Sequence, residues 1–190
     1  MTLLTLHAVR LLGFADTEAV AERFSQDRGT VESQLIDAGV NGFVSYSTFA
    51  GSSGWSLSSL GRTENERLLA AELDTAGARE TALAVHDHFA NINTSVVNAC
   101  SAIQLHSLAK AEANDAMDLL GGALAAWRPL EDRLTAVLPR FHGYSERLRH
   151  ALELVPDDTA WVTATDRDSF HRVWFELHED LIASLGIQRS

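Results

Sequence analysis

Apolar positions recur along the chain in two rhythms, and the change between them falls near Ala76-Gly77. Leu4, Leu6, Val9, Leu11 and Leu12 predict a short helix over 2–13 that stops at Gly13. In ADTEAVAERFS, Asp16 or Thr17 is placed to cap a second helix, with Val20, Ala21 and Phe24 on one face. Asp27 is the expected cap of a third, RGTVESQLIDA, whose buried face is Val31, Leu35 and Ala38. GFVSYSTF, residues 42–49, has the aromatic and β-branched content of a strand. AGSSG then predicts a turn and WSL a short return strand, apolar at Trp55 and Leu57. Ser59 or Thr63 is expected to cap the helix that follows, through Leu73. Two short helices joined by a tight turn, with a hairpin after the third, make a winged helix-turn-helix.

Beyond Gly77 the steps of three and four dominate. Ala82, Val85, Phe89, Ile92, Val96, Cys100 and Ile103 mark one long amphipathic helix. A second is expected from about Asn114 toward Pro139, on Met117, Leu120, Leu124, Trp127, Leu130, Leu134 and Val137. A weaker one covers 145–154, and the last runs from about Asp166 to Leu185, where Gly186 stops it. The fold class is therefore mainly α: a winged helix-turn-helix with a small β-hairpin wing over 1–76, followed by an all-α domain over 77–190. Four such stripes suit a small bundle or a dimerisation surface.

Composition narrows the setting. The 190 residues are 46% hydrophobic and 22% charged, ordinary for a globular protein with a real core. No apolar run reaches the ~18 residues of a membrane span. LLTLHAVRLLGF is short, is broken by His7 and Arg10 and lacks a cleavage site, so neither a membrane nor a signal peptide is expected. The lone Cys100, in an apolar context, is expected to be an inert core thiol. A cytoplasmic protein is the expectation.

Residues 3–75 resemble the winged-helix domain of the MarR-like group of bacterial transcription regulators. VAERFSQDRGTVESQL resembles the helix-turn-helix, with Ala21 at the close helix–helix contact and Val31 in the third helix. GFV at 42–44 is similar to the glycine and first strand that follow, and WSLSSLGR to the second wing strand and its sequel. In the second half, LPRFHGYSERL and VWFELHEDLIASLG resemble a helical extension that accompanies a similar winged helix in actinobacterial proteins related to pyruvate phosphate dikinase. The chain carries none of the phosphotransfer or nucleotide-binding parts of such an enzyme.

The first resemblance implies DNA binding as a homodimer, with the third helix, 27–38, in the major groove and the wing on the backbone. The residues it points to are Arg28, for guanine or phosphate, Gln34, for adenine, Thr30 and Ser33, for phosphate, and Arg62 beyond the wing. Charge opposes it. Net charge is −11, and residues 1–76 hold five arginines against ten acids. The wing SYSTFAGSSGWS has no cation, and Glu32 and Asp37 sit on the third helix itself. Neutralising phosphate is the main sequence-independent term in DNA affinity. Two readings therefore stand: an effector-responsive transcriptional regulator, or a winged-helix module that binds no DNA and regulates or scaffolds a metabolic enzyme of the phosphate dikinase kind.

Other chemistry has weaker support. The eight histidines, His7, His86, His88, His106, His142, His150, His171 and His178, lack CxxC or HExxH spacing, and no metal or other cofactor is expected. There is no GxSxG, P-loop or dinucleotide fingerprint, and no catalysis is expected. Trp127, Phe170, Trp174 and Phe175 suit a core, although a pocket among the helices is where a small-molecule effector would sit. LLGGAL, 119–124, suggests close helix packing at its two glycines, and Glu176, Glu179 and Asp180 a solvated acidic face.

Overall fold

A computed structural model describes residues 2–49, 51–105 and 110–187. Within these the chain forms two compact units. One comprises residues up to Thr75 together with the segment from Ala183 onward, and the other is Ala76–Ile182. Helix dominates, and a three-stranded antiparallel sheet lies among the first helices, so the mainly α fold with a small hairpin wing holds.

In the first unit, α1 (Leu3–Leu12) ends at Gly13, whose φ of +75° is open to glycine and costly for other residues. Asp16 caps α2 (Thr17–Arg23) by accepting from the Ala19 amide at 2.8 Å. The tight turn then passes through Ser25 at φ +51°, and the Gln26 amide returns to the Ala21 carbonyl at 2.9 Å. Asp27 caps α3 (Arg28–Val40), accepting from the Thr30 amide and hydroxyl, both at 2.8 Å. These two bonds, side chain first, hold the Asp27 carboxyl below the usual aspartate range. Val31, Leu35 and Ala38 are buried as their spacing predicts, and they pack with Leu6, Val9, Val20, Ala21 and Val44. Each valine or leucine among them taken out of water contributes about 1.5–3 kcal/mol.

The wing is longer than its sequence suggests. β2 (Val44–Phe49) pairs with β3 (Ser52–Leu57), Phe49 opposite Ser52, so Ser52, Ser53 and Gly54 belong to the strand and not to a five-residue turn. Ala50, within the expected turn, lies outside the described residues. A third strand, β1 (Phe14–Ala15), pairs with β3 and places β3 in the centre of the sheet. Gly54 lies against this added strand, where a Cβ would stand 2.9 Å from the Ala15 carbonyl oxygen. α4 (Ser59–Ala76) is capped by Ser58, not by Ser59 or Thr63. The Ser58 hydroxyl accepts from the Gly61 amide at 3.0 Å and donates to the Gly42 carbonyl at 2.6 Å. Gly61 is required here, because a Cβ on it would overlap the Phe43 carbonyl oxygen.

The second unit begins with α5 (Arg79–Leu105) and α6 (Lys110–Thr135). A 3-10 turn (Pro139–Phe141) leads to α7 (Tyr144–Leu154), a short α8 (Ala160–Thr163) and α9 (Phe170–Leu185). α9 starts four residues later than expected because Ser169, fully buried, caps it through the Arg172 amide. Phe89 stacks on Trp174 at 4.8 Å and meets Trp127 edge-on at 6.0 Å, geometries that add to simple burial. Phe170 joins them, whereas Phe175 is exposed and outside this core.

Two expectations fail in this unit. Glu176 and Asp180 are buried, not solvated. Arg147 donates to both Glu176 oxygens at 2.9 and 2.7 Å and to Asp168 at 2.8 Å. Burial opposes the charge on Arg147, but these carboxylates outweigh it and push its pKa up. Arg140 pairs with Asp180, whose other oxygen accepts from the Tyr144 hydroxyl at 2.9 Å. Nor do Gly121 and Gly122 mark a close contact, since a Cβ on either meets nothing within 4 Å.

Candidate interaction face of the winged helix

The helix-turn-helix presents one side of α3 to solvent, and that side can be read by position. At 100° per residue, Ser33, Ile36 and Val40 fall nearest its centre, opposite the buried Val31–Leu35–Ala38 stripe. The Ser33 hydroxyl is spent on the Gly29 carbonyl at 3.0 Å. The centre line thus offers two aliphatic side chains and no charge. Asp37 flanks it on one side and Glu32 on the other, nearer the edge. Neither Glu32 nor Asp37 has an ion-pair partner among the described residues.

The residues expected to touch DNA separate in space. Arg28 and Thr30 are exposed at the first turn of α3, with Ser33 one turn on. Arg28 pairs with Glu18 at 2.9 Å, a surface bond of small worth, so it remains the one cation α3 offers. Thr30 is engaged by Asp27. Gln34 turns away from the face. Its carbonyl oxygen accepts from Thr2 at 2.8 Å and Thr5 at 2.5 Å, tying α3 to the start of α1. Arg62 is exposed on α4. The other arginines of residues 1–76 are engaged to different degrees. The Arg10 side chain is 6% exposed and bonds Glu66 at 3.1 Å, Arg23 lies over the Phe24 ring, and Arg67, exposed like Arg28, makes a two-bond fork to Glu64.

Apolar surface takes the place of the missing charge. Val40 is 84% exposed, Ile36 54%, Tyr46 58% and Leu60 56%. Ile36 and Val40 are four apart and share one side of α3. The wing and α4 lie against the C-terminal end of that helix: a Cβ at Gly39 would touch the Trp55 ring at 3.8 Å, the Trp55 and Tyr46 rings are 4.9 Å apart across the wing, and Leu60 reaches within 3.9 Å of the Cβ position of Gly42. The sequence carries a signal for this face: Ile36 and Val40 are large aliphatics lying off the buried stripe of their own helix.

In the helical unit, a groove of about 670 Å³ runs beside Asn91, Ile92, Ser95, Asp118, Leu119 and Gly122. A smaller hollow of about 340 Å³ lies beside Glu131, His142 and Ser145. Glu131 is committed already, accepting from Trp127 Nε1 at 3.1 Å and from the Gly143 and Ser145 amides at 2.7 and 2.8 Å. The histidines are dispersed. His7 is buried near Asn65, His88 donates to the Ala84 carbonyl, and His178 lies against Phe89. Burial lowers the pKa of His171. His106 lies outside the described residues. Among the described residues no group of three or more His, Cys, Asp or Glu side chains gathers to hold a metal ion, and no helix is long and apolar enough to cross a membrane. Cys100 is buried, and burial pushes its thiol up to about 12.

No protein-family model matches this sequence, and neither curated proteins nor solved structures give a significant match to it.

Proposed function

We propose that this chain is a winged-helix interaction module whose α3–wing face contacts a protein and not DNA. The observation that carries the reading is the make-up of that face: Ile36 and Val40 beside Glu32 and Asp37, next to a wing without a cation. Phosphate binding needs several positive side chains at once. Arg10 and Arg23 are engaged within the unit, and Arg28 and Arg67, though exposed, are each paired with an acid. An interface core, by contrast, is depleted in charge and enriched in apolar anchors. Regulation or scaffolding of a metabolic enzyme is the role this reading implies for the chain.

A second reading, a DNA-binding homodimeric regulator responsive to a small effector, is favoured by one observation. Arg28, Thr30 and Ser33 are exposed on the first turns of α3, where a groove-reading helix carries its contacts. Chromatography on immobilised genomic DNA at about 50 mM salt separates the two, because a non-specific phosphate contact is strong there. The folded chain is expected in the flow-through. Retention, released by raised salt, would favour the regulator.

A further inference from the structure

We infer that the occupant of the Ile36–Val40 face is a polypeptide segment with large apolar side chains flanked by lysine or arginine. This rests on the protein-contact reading above and adds the chemical class of the partner. Single exposed apolar residues are ordinary, but Ile36 and Val40 share one side of α3, and the elements carrying the exposed Tyr46 and Leu60 pack against the end of that helix at Gly39 and Gly42. Such a cluster fits apolar anchors, which supply most of the energy of an interface.

Charge selects among occupants. Glu32 and Asp37 flank the Ile36–Val40 line on its two sides, both without an ion-pair partner among the described residues. An acidic segment or a phosphate backbone would bring like charge against them. A second copy docked through the same face would oppose Glu32 and Asp37 to their own duplicates, in a chain of net charge −11. Cations beside the anchors complete the pair and steer the encounter.

The test is a display selection of random peptides, about 16 residues long, on the full chain. Anisotropy titrations of the enriched peptides follow, against the wild type, the Ile36→Ser/Val40→Ser variant and the Glu32→Gln/Asp37→Asn variant. All four positions are exposed, and circular dichroism checks that each variant keeps its helices. Enriched peptides should be net positive, with two or more large apolar residues. Each variant should weaken them about tenfold or more, with the carboxylate effect fading as salt rises. Neutral or acidic winners, or peptides indifferent to both variants, would overturn the inference. Absence of enrichment with no DNA binding would overturn it too while leaving the protein-contact reading in place. Absence of enrichment with saturable DNA binding would overturn both.

Discussion

Glu131 shows how much one side chain can organise. It sits on α6, nearly buried, and its two oxygens accept from an indole and from two amides at the start of α7. A buried carboxylate removed without a substitute leaves those donors unpaired. Glu131→Ala should therefore destabilise the helical unit by about 2–4 kcal/mol, and Glu131→Gln by less, read from the denaturant midpoint by circular dichroism. His171 gives a pH prediction. Burial lowers its folded-state pKa from the usual 6.5, so between the two values the unfolded chain binds the extra proton. Stability should fall as pH drops below about 6.5, and the difference between wild type and His171→Leu should isolate that slope. An equal slope in both would remove His171 as its source.

Elements add constraints that single residues do not reveal. The wing and α4 meet at Gly61, where no side chain fits against Phe43. Gly61→Ala should cost about 3 kcal/mol or more, seen as an early loss of the Trp55 fluorescence signal on unfolding. Gly121 and Gly122 are the opposite case, two helix-interior glycines with open space beside them. Replacing either by alanine should stabilise α6 by about 0.5–1 kcal/mol, measured by the denaturant midpoint, and destabilisation would mean that this surface is covered.

The same contrast explains what the sequence could tell. α1 to α4 and the longer helices were legible because their apolar periods and caps are local, as at Asp16 and Asp27. β1 has two residues, too few to show alternation, and α8 has four. Ser58, Ser59 and Thr63 are all plausible caps in the sequence, and only the packing of Gly61 selects Ser58. At the site, the exposure of Ser33 follows from helical phase, and that of Arg28 from its place at the first residue of α3. The withdrawal of Gln34 and Arg10 depends on Thr2, Thr5 and Glu66, which lie up to 56 residues away in sequence and cannot be read from it.

At the scale of the whole molecule, charge and fold pull apart. A helix-turn-helix with a wing has the shape that enters a major groove, yet residues 1–76 hold ten acids and five arginines. In the proposed reading electrostatics carries the greater weight, since shape complementarity to DNA brings carboxylates against phosphates unless cations intervene. The most direct test is fluorescence anisotropy of the folded chain against labelled duplexes from its own upstream region, at about 50 and 150 mM salt, beside Arg28→Ala. The protein-contact account predicts flat traces at both salts and no difference in the variant. Saturable binding that resists non-specific competitor, weakens as salt rises and is lost in Arg28→Ala would contradict it and place α3 in the groove.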